Sequence, residues 1–268
     1  MKYSVIIPFY SHTIEETVRQ AERRDDTEII AVITGHKALN LTSKVLKIIK
    51  CDKCGYGAAV NRGAKHSEGG SLIIMNDDVI LDNSFFEILD TINADAIVPT
   101  VYNFNTGEIE STHSSLDFLW YNKLKKEPPK HKNSHIPGSI FIIKKRLLFD
   151  CGAFDEDYFM YYEDVDLSLR IEKMATVHYS ERLKASHKQS FSDFKRKKYY
   201  LQKNRLLFIV KNCKKNMLPL FFFYFMTFEM IIMTYQCIIS KSLEPIRARW
   251  GFLKECRRFM EKRDADSN

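Results

Sequence analysis

Apolar residues along this chain come first in short β-branched runs and then, towards the C-terminus, in one long block. The runs YSVII (3–7), EIIAVI (28–33), VLKIIK (45–50), SLIIM (71–75), AIVPT (96–100) and SIFII (139–143) have the length and composition of strands. Between them, residues 13–24, 56–66 and 83–92 carry helical spacing and follow turn or capping residues. This β-α-β-α order predicts an α/β fold, with a Rossmann-like, mostly parallel sheet flanked by helices. Such sheets bind ligands at the carboxyl ends of their strands. After residue 100 the rhythm loosens. Residues 106–138 are polar and punctuated by Pro128 and Pro129, which predicts a long excursion over the binding edge. A further helix is expected from Asp164 onward, with Leu167, Ile171 and Met174 on one face.

Composition adds an asymmetry. The 268 residues are 45% hydrophobic, enough for one large domain with an appendage, and the net charge is +7. Residues 195–268 hold 17 Lys/Arg against 6 Asp/Glu, so a mildly acidic body carries a strongly basic tail. Such a tail suits an anionic surface, phospholipid or nucleic acid. The six cysteines form no regular framework, and the N-terminal residues show no cleavage-site pattern. The expectation is an intracellular protein with reduced thiols, the CDKC stretch at 51–54 being two thiols at a strand end.

Three constellations carry chemistry. In LIIMNDDVILD (72–82) a buried strand delivers Asn76, Asp77 and Asp78 to its carboxyl end. Carboxylates there suit Mg²⁺ or Mn²⁺ held together with a diphosphate, or else they cap the next helix. In FDEDYFMYYEDVDLSLR (154–170), six acidic and five aromatic side chains lie between Phe154 and Asp166. Helix caps would explain the acids, which favour a first turn, but not the rings before them. A carboxylate in an aromatic, partly dry site acquires a raised pKa and becomes a usable general base. In KASHKQS (184–190), His187 is either a surface residue or a second metal ligand.

Together these stretches resemble family 2 glycosyltransferases, in particular their rhamnosyltransferase-like members. GAFDEDYFMYYEDVDLSLR after PGSIFIIKK looks like the acceptor-side signature, and MNDD stands in the place of the Asp-x-Asp motif. SVIIPFY, CGYGAAVNRGAKHS and KNRLLFIVK (203–211) look like the opening strand, the helix before the metal motif and the closing segment. The resemblance covers roughly residues 3–210. It implies a GT-A fold, with a nucleotide-sugar half (1–100) and an acceptor half (101–210). It also implies a metal-dependent, inverting hexosyltransferase using a nucleoside diphosphate sugar. Asp164 would be the base, with Glu163 as the next candidate. Asp78, with Asn76, Asp77 or His187, would hold the metal. Pro8, Phe9 and Tyr10 would border the nucleotide base, with Thr34 and Asp77 also on the nucleotide side. Gly57, Asn61 and Gly63 would shape the pocket wall, and Gly138 and Ser139 would lie near sugar or acceptor. Arg170 would pair with an acid, and Asp166 would hold the helix. Two positions depart from the pattern. Ile33 and Thr34 stand where the family usually has Asp and further polar residues, and Lys53 stands where it often has Asn. A non-catalytic relative and a transferase using a lipid-phosphate sugar therefore remain alternatives.

The tail, 211–268, contains MLPLFFFYFMTFEMIIMTYQCII (217–239), a run of 23 residues. As a helix it would extend about 34 Å, enough to cross a bilayer core. A spanning helix would put Glu229 near mid-membrane and carry a basic segment across, both unfavourable. Glu229 and Gln236 share a face, which favours a helix lying in the membrane interface with its bases on the headgroups. A helix buried on the catalytic domain or on a second copy, giving a homodimer, is the third reading. Trp250, Phe252, Leu253 and Phe259, set among Arg and Lys in 244–263, support the membrane. No nucleic-acid motif accompanies the basic stretch. The expected place is the cytoplasmic side of a membrane, peripheral or monotopic. The expected acceptor is a glycan, lipid-linked or at the cell surface.

Overall fold

A computed structural model describes residues 1–10, 12–34, 39–52, 54–129, 133–188 and 194–266, with backbone alone at 194 and 264–266. Lys53 and the residues after Thr34 (35–38) fall outside the described residues. The chain divides into two compact units, 1–190 and 191–268.

In the first unit the elements run β1 (Tyr3–Phe9), α1 (Glu15–Glu22), β2 (Thr27–Ile33), β3 (Leu46–Lys50), α2 (Tyr56–His66), β4 (Ser71–Met75), β5 (Val79–Leu81) and α3 (Phe85–Asp90). They continue with β6 (Ala96–Asn103), β7 (Ile109–Ser111), β8 (His113–Leu116), β9 (Asn122–Lys125), β10 (Ile140–Lys144), α4 (Lys145–Asp150), α5 (Glu163–Glu172) and β11 (Val177–His187). The main sheet has the order β3-β2-β1-β4-β10-β6-β11-β5, with β7 on β6, while β8 and β9 form a separate hairpin. β1 to β4 are parallel neighbours, β10 runs against β4 and β6, and β11 runs with β6. Each expected strand is present. β1 and β4 are buried throughout, because both faces of the sheet are covered; this is why they read as unbroken apolar runs. One core lies beneath α1 and α3, and a second lies beneath α2, α4 and α5. β5, β7, β8, β9 and β11 were not visible in the apolar pattern. β11 reads VHYSERLKASH and alternates irregularly about a register shift between Ser180 and Lys184. Met174 is exposed rather than on the buried face of α5, since that helix stops at Glu172. Cys51 and Cys54 are joined as a disulfide, against the expectation of reduced thiols.

The second unit comprises α6 (Phe194–Asn212), α7 (Leu218–Tyr224), α8 (Met230–Ser240) and α9 (Glu244–Asp266). The sequence reading put 203–211 with the catalytic domain, but α6 packs along α9 inside this unit. A 3₁₀ turn, α7, a π-helical turn at Phe225–Glu229 and α8 form one continuous helix over Lys215–Ser240. Glu229 is fully buried. Oε1 accepts from Nη2 of Arg205 (2.5 Å) and from Arg249, and Oε2 accepts from the Tyr224 hydroxyl (2.9 Å). Gln236 shares that face and accepts from Arg249 at 3.2 Å. The expectation that this polar face meets headgroups is therefore corrected: it turns inward, onto two arginines of α6 and α9. Burial alone would raise the Glu229 carboxyl, but the two guanidiniums outweigh it and hold it below the usual range. The opposite face exposes Leu220, Phe223, Met226, Ile231, Tyr235 and Ile238.

Candidate active site

The strand directions assemble one edge of the first unit. Phe9, Ile33, Lys50 and Met75 end the four parallel strands there. β10 begins with Ile140 opposite Met75, which brings Gly138 and Ser139 to the same edge. β11 ends with His187 opposite Val79, beside Asp78. Residues scattered over nearly two hundred positions thus converge by topology.

On the nucleotide side, Tyr10 is exposed, whereas Pro8 lies buried in β1 and the Phe9 ring is 1% exposed within the core. The Phe9 ring points into the core, and its backbone reaches the edge where β1 ends. Thr34 spends both its N–H (2.9 Å) and its hydroxyl (3.2 Å) on the Phe9 carbonyl. Asp77 accepts from the N–H groups of Tyr10 (2.8 Å) and His12 (3.1 Å), and its other oxygen lies 3.1 Å from His12 Nδ1. Asp77 therefore shapes the loop after β1. Gly57 and Gly63 serve packing. A Cβ on Gly57 would lie 2.9 Å from that of Phe154, and one on Gly63 would lie 2.6 Å from the Ile6 side chain. Asn61 is also corrected. Its amide donates to the Phe154 carbonyl and to Glu156 (both 2.9 Å) and accepts from the Phe154 N–H (3.0 Å), which makes it a clamp on the acidic loop rather than a pocket wall.

Asp78 Oδ1 lies 3.2 Å from His187 Nε2, and His187 Nδ1 lies 3.0 Å from Glu110. Burial would lower the ring's pKa, but the flanking carboxylates outweigh it and raise it to about 9. Two ligand atoms at right angles on a cation of roughly 2.1 Å bond length lie about 3 Å apart, so the Asp78–His187 spacing fits one divalent ion. A carboxylate on the far nitrogen of a ligating histidine is the usual orienting partner. No group of three metal-ligating side chains converges among the described residues. Further positions on an ion would fall to diphosphate and water. Asn76 contributes backbone here: its N–H donates to the Ser139 carbonyl at 2.9 Å.

The acidic loop is strained and clamped. Ala153, Phe159, Tyr161 and Tyr162 all hold positive φ (56°, 65°, 65° and 72°), a region costly for side chains with a Cβ. The loop is gripped by Asn61, by the Tyr56 N–H on the Phe159 carbonyl (2.7 Å) and by Gly55, where any Cβ would meet Phe159 backbone. It delivers Glu163 and Asp164 to the first turn of α5. Asp164 Oδ2 accepts from the Gly138 N–H at 3.0 Å and Oδ1 from the Val165 N–H at 2.9 Å. Tyr56 donates to the Gly138 carbonyl at 2.8 Å. Glu163 is buried, and its Oε2 has no hydrogen-bond partner among the described residues. Burial pushes the Glu163 carboxyl well above the usual carboxylate range, and Asp164 adds to this. Burial also raises Asp164, against the two N–H bonds it accepts. Asp166 and Arg170 pair at 2.9 Å, and Arg170 also donates to the Cys151 and Ala153 carbonyls, so both brace the loop.

Sequence reasoning missed His12, Tyr56 and Glu110. Tyr56 lies between two glycines before a helix, a signal that could have found it. Glu110 had none, since Glu108 in the same stretch pairs loosely with Lys126 at the surface.

The mostly parallel sheet, with its polar residues gathered at one edge, is the architecture of a GT-A fold, which the comparisons with known proteins support. The profile described as Glycosyl transferase family 2 matches residues 4–151, and the chain belongs to that family. Among solved structures, the crystal structure of S. aureus TarS 1–349 is similar, with a TM-score of 0.53 at 15% identity, over 99% of this chain and 92% of that one. Its complex with UDP-GlcNAc gives 0.52 at 14% identity, over the same shares. The mannosyltransferase PcManGT from Pyrobaculum calidifontis, in complex with GDP-Man and Mn²⁺, gives 0.54 at 12% identity, over 98% and 84%. This chain spans 55% of a longer TarS chain. At these identities the likeness is one of fold. No curated protein sequence matches the chain.

Proposed function

We propose that this glycosyltransferase moves a sugar, with inversion, from a nucleoside diphosphate sugar to a hydroxyl of a lipid-linked or cell-surface glycan. We place it at the cytoplasmic side of a membrane. The observation that supports the reading is that Asp164 accepts from the Gly138 N–H while the neighbouring Ser139 carbonyl accepts from the Asn76 N–H, so that the Glu163–Asp164 and Asp78–His187 pairs border one sheet edge. The neighbours bound to UDP-GlcNAc and to GDP-Man with Mn²⁺ support the donor class.

Asp164 accepts the proton of the acceptor hydroxyl. It is the more exposed carboxylate of the pair, and the Gly138 and Val165 N–H groups hold it in position. The acceptor oxygen attacks the anomeric carbon from the face opposite the diphosphate. Burial favours the protonated form of Glu163, which eases the repulsion between it and Asp164. Tyr10 and the loop tied down by Asp77 border the nucleotide. Asp78 and His187, oriented by Glu110, would hold Mg²⁺ or Mn²⁺, whose positive charge neutralises a departing diphosphate. The unit 191–268 associates with the membrane surface through its exposed apolar face.

One observation favours a second reading. Thr34 has committed its N–H and hydroxyl to the Phe9 carbonyl. A lipid-phosphate sugar donor, or a non-catalytic binding role, would follow if nucleotides do not bind. Thermal-shift binding of UDP, GDP, dTDP and CDP, with and without Mn²⁺, tests this on wild type and Asp78→Ala. A metal-dependent shift with one nucleotide, lost in the variant, is expected. No shift with any nucleotide would overturn the nucleotide-sugar reading.

A further inference from the structure

We propose that a cavity of about 390 Å³ in the second unit binds the phosphate headgroup of an anionic phospholipid. The proposal rests on the membrane-association reading and sharpens it from a face to a site. The cavity lies where α6 begins and where α8 ends against the start of α9. Its described lining includes the basic residues Lys195, Lys198, Lys241 and Arg247 and the carboxylate of Glu244, which accepts from Arg247 Nη1 at 2.7 Å. Lys241, at the end of α8, adds its ammonium group to the rim.

The turn that builds it is specific. Lys241 ends α8 with a φ of 46°, and the Ser242 N–H returns to the Cys237 carbonyl at 3.3 Å. The Ser242 hydroxyl accepts from the Glu244 N–H at 3.2 Å and so caps α9. The positive end of a 23-residue helix is thereby aimed at the same place.

The surroundings identify the anion. Leu243 in the lining, and Ile238 and Ile239 just before it in the chain, are 65%, 69% and 67% exposed, and they continue the apolar face of Lys215–Ser240. A soluble sugar phosphate or nucleotide would leave these side chains in water. A phosphate attached to acyl chains satisfies both halves at once: the anion sits among the bases and the chains lie against the isoleucines. Lys and Arg at the rim can keep their stems along apolar surface while their charged ends reach the phosphate.

Flotation of the full chain with vesicles tests the site. One set is phosphatidylcholine alone, and the other is phosphatidylcholine with phosphatidylglycerol. Wild type is expected to prefer the anionic set. Lys241→Glu/Arg247→Glu should weaken that binding on the order of tenfold or more. Arg146→Glu/Arg257→Glu, with the same change of charge at exposed positions outside the cavity, should stay within about twofold of wild type. Equal losses in the two pairs would mean diffuse charge and would overturn the pocket. Should the reversal pair not fold, Lys241→Gln alone is expected to lower binding severalfold, and an unchanged value overturns the proposal. Phe223→Ser/Ile231→Ser separates the two levels. Loss of binding in this variant, with no effect of the cavity variants, leaves membrane association standing and removes the pocket. If wild type floats with neither set, both fall. Inorganic phosphate that stabilises wild type but not the reversal pair, and fully displaces it from vesicles, would assign the site to free phosphate instead.

Discussion

At the scale of single residues, the chemistry turns on where carboxylates are dried out. Glu163 is buried with one oxygen unpartnered among the described residues, and Asp164 beside it keeps two N–H donors. Asp164→Asn should lower the turnover rate by about 10²–10⁴-fold with donor binding unchanged, which steady-state kinetics and a donor titration check together. The acidic limb of the wild-type profile should lie above the ordinary carboxylate range and belong to the pair rather than to either group. Glu163 also makes a stability prediction. Its folded pKa is raised, so the folded state holds the proton more tightly than the unfolded chain does. Its contribution is fully present below the ordinary Glu range and is lost as pH rises through the raised value. Glu163→Gln, a neutral mimic, should therefore melt above wild type at neutral pH, and the gap should close as the pH is lowered. Glu110 is tested by metal affinity. Glu110→Ala should weaken Mn²⁺ binding, followed by electron paramagnetic resonance, about 10–100-fold.

At the scale of elements, the helix over Lys215–Ser240 shows why an apolar run does not declare its environment. The π-helical turn at Phe225–Glu229 closes its hydrogen bonds over one more residue than an α-helical turn, with Met226 and Phe228 inside it and Ile231 beyond it exposed. Glu229 points at Arg205 and Arg249 while Phe223, Ile231 and Ile238 stay outside. A helix bound by a buried Arg–Glu–Arg cluster to two other helices is not a lone membrane span. Glu229→Ala would leave two guanidiniums buried and uncompensated. Urea unfolding should show a loss of about 3–5 kcal/mol, far beyond that of an exposed pair such as Arg257–Glu261.

At the scale of the whole molecule, the sequence by itself determined the apolar strands β1 to β4, β6 and β10 and the acid-rich loop. Fully buried parallel strands must be continuous apolar runs, and a strand-end Asn-Asp-Asp or a ring-and-acid cluster has few structural uses. It also showed the charge asymmetry, and its resemblance to the family's motifs offered Asp78, His187, Glu163 and Asp164 as candidates. The tertiary structure alone decided which of them meet. β11 carries His187 to Asp78 and β7 brings Glu110 behind it, although neither strand has a periodicity that marks it. Likewise Phe9, Asn61 and Glu229 were read by type and position. Their roles depend on which way a side chain points and on which distant groups satisfy it. Local pattern fixes burial and element type, but hydrogen bonding across 24 positions, as for Arg205 and Glu229, or across 93, as for Asn61 and Phe154, exists only once the chain has folded.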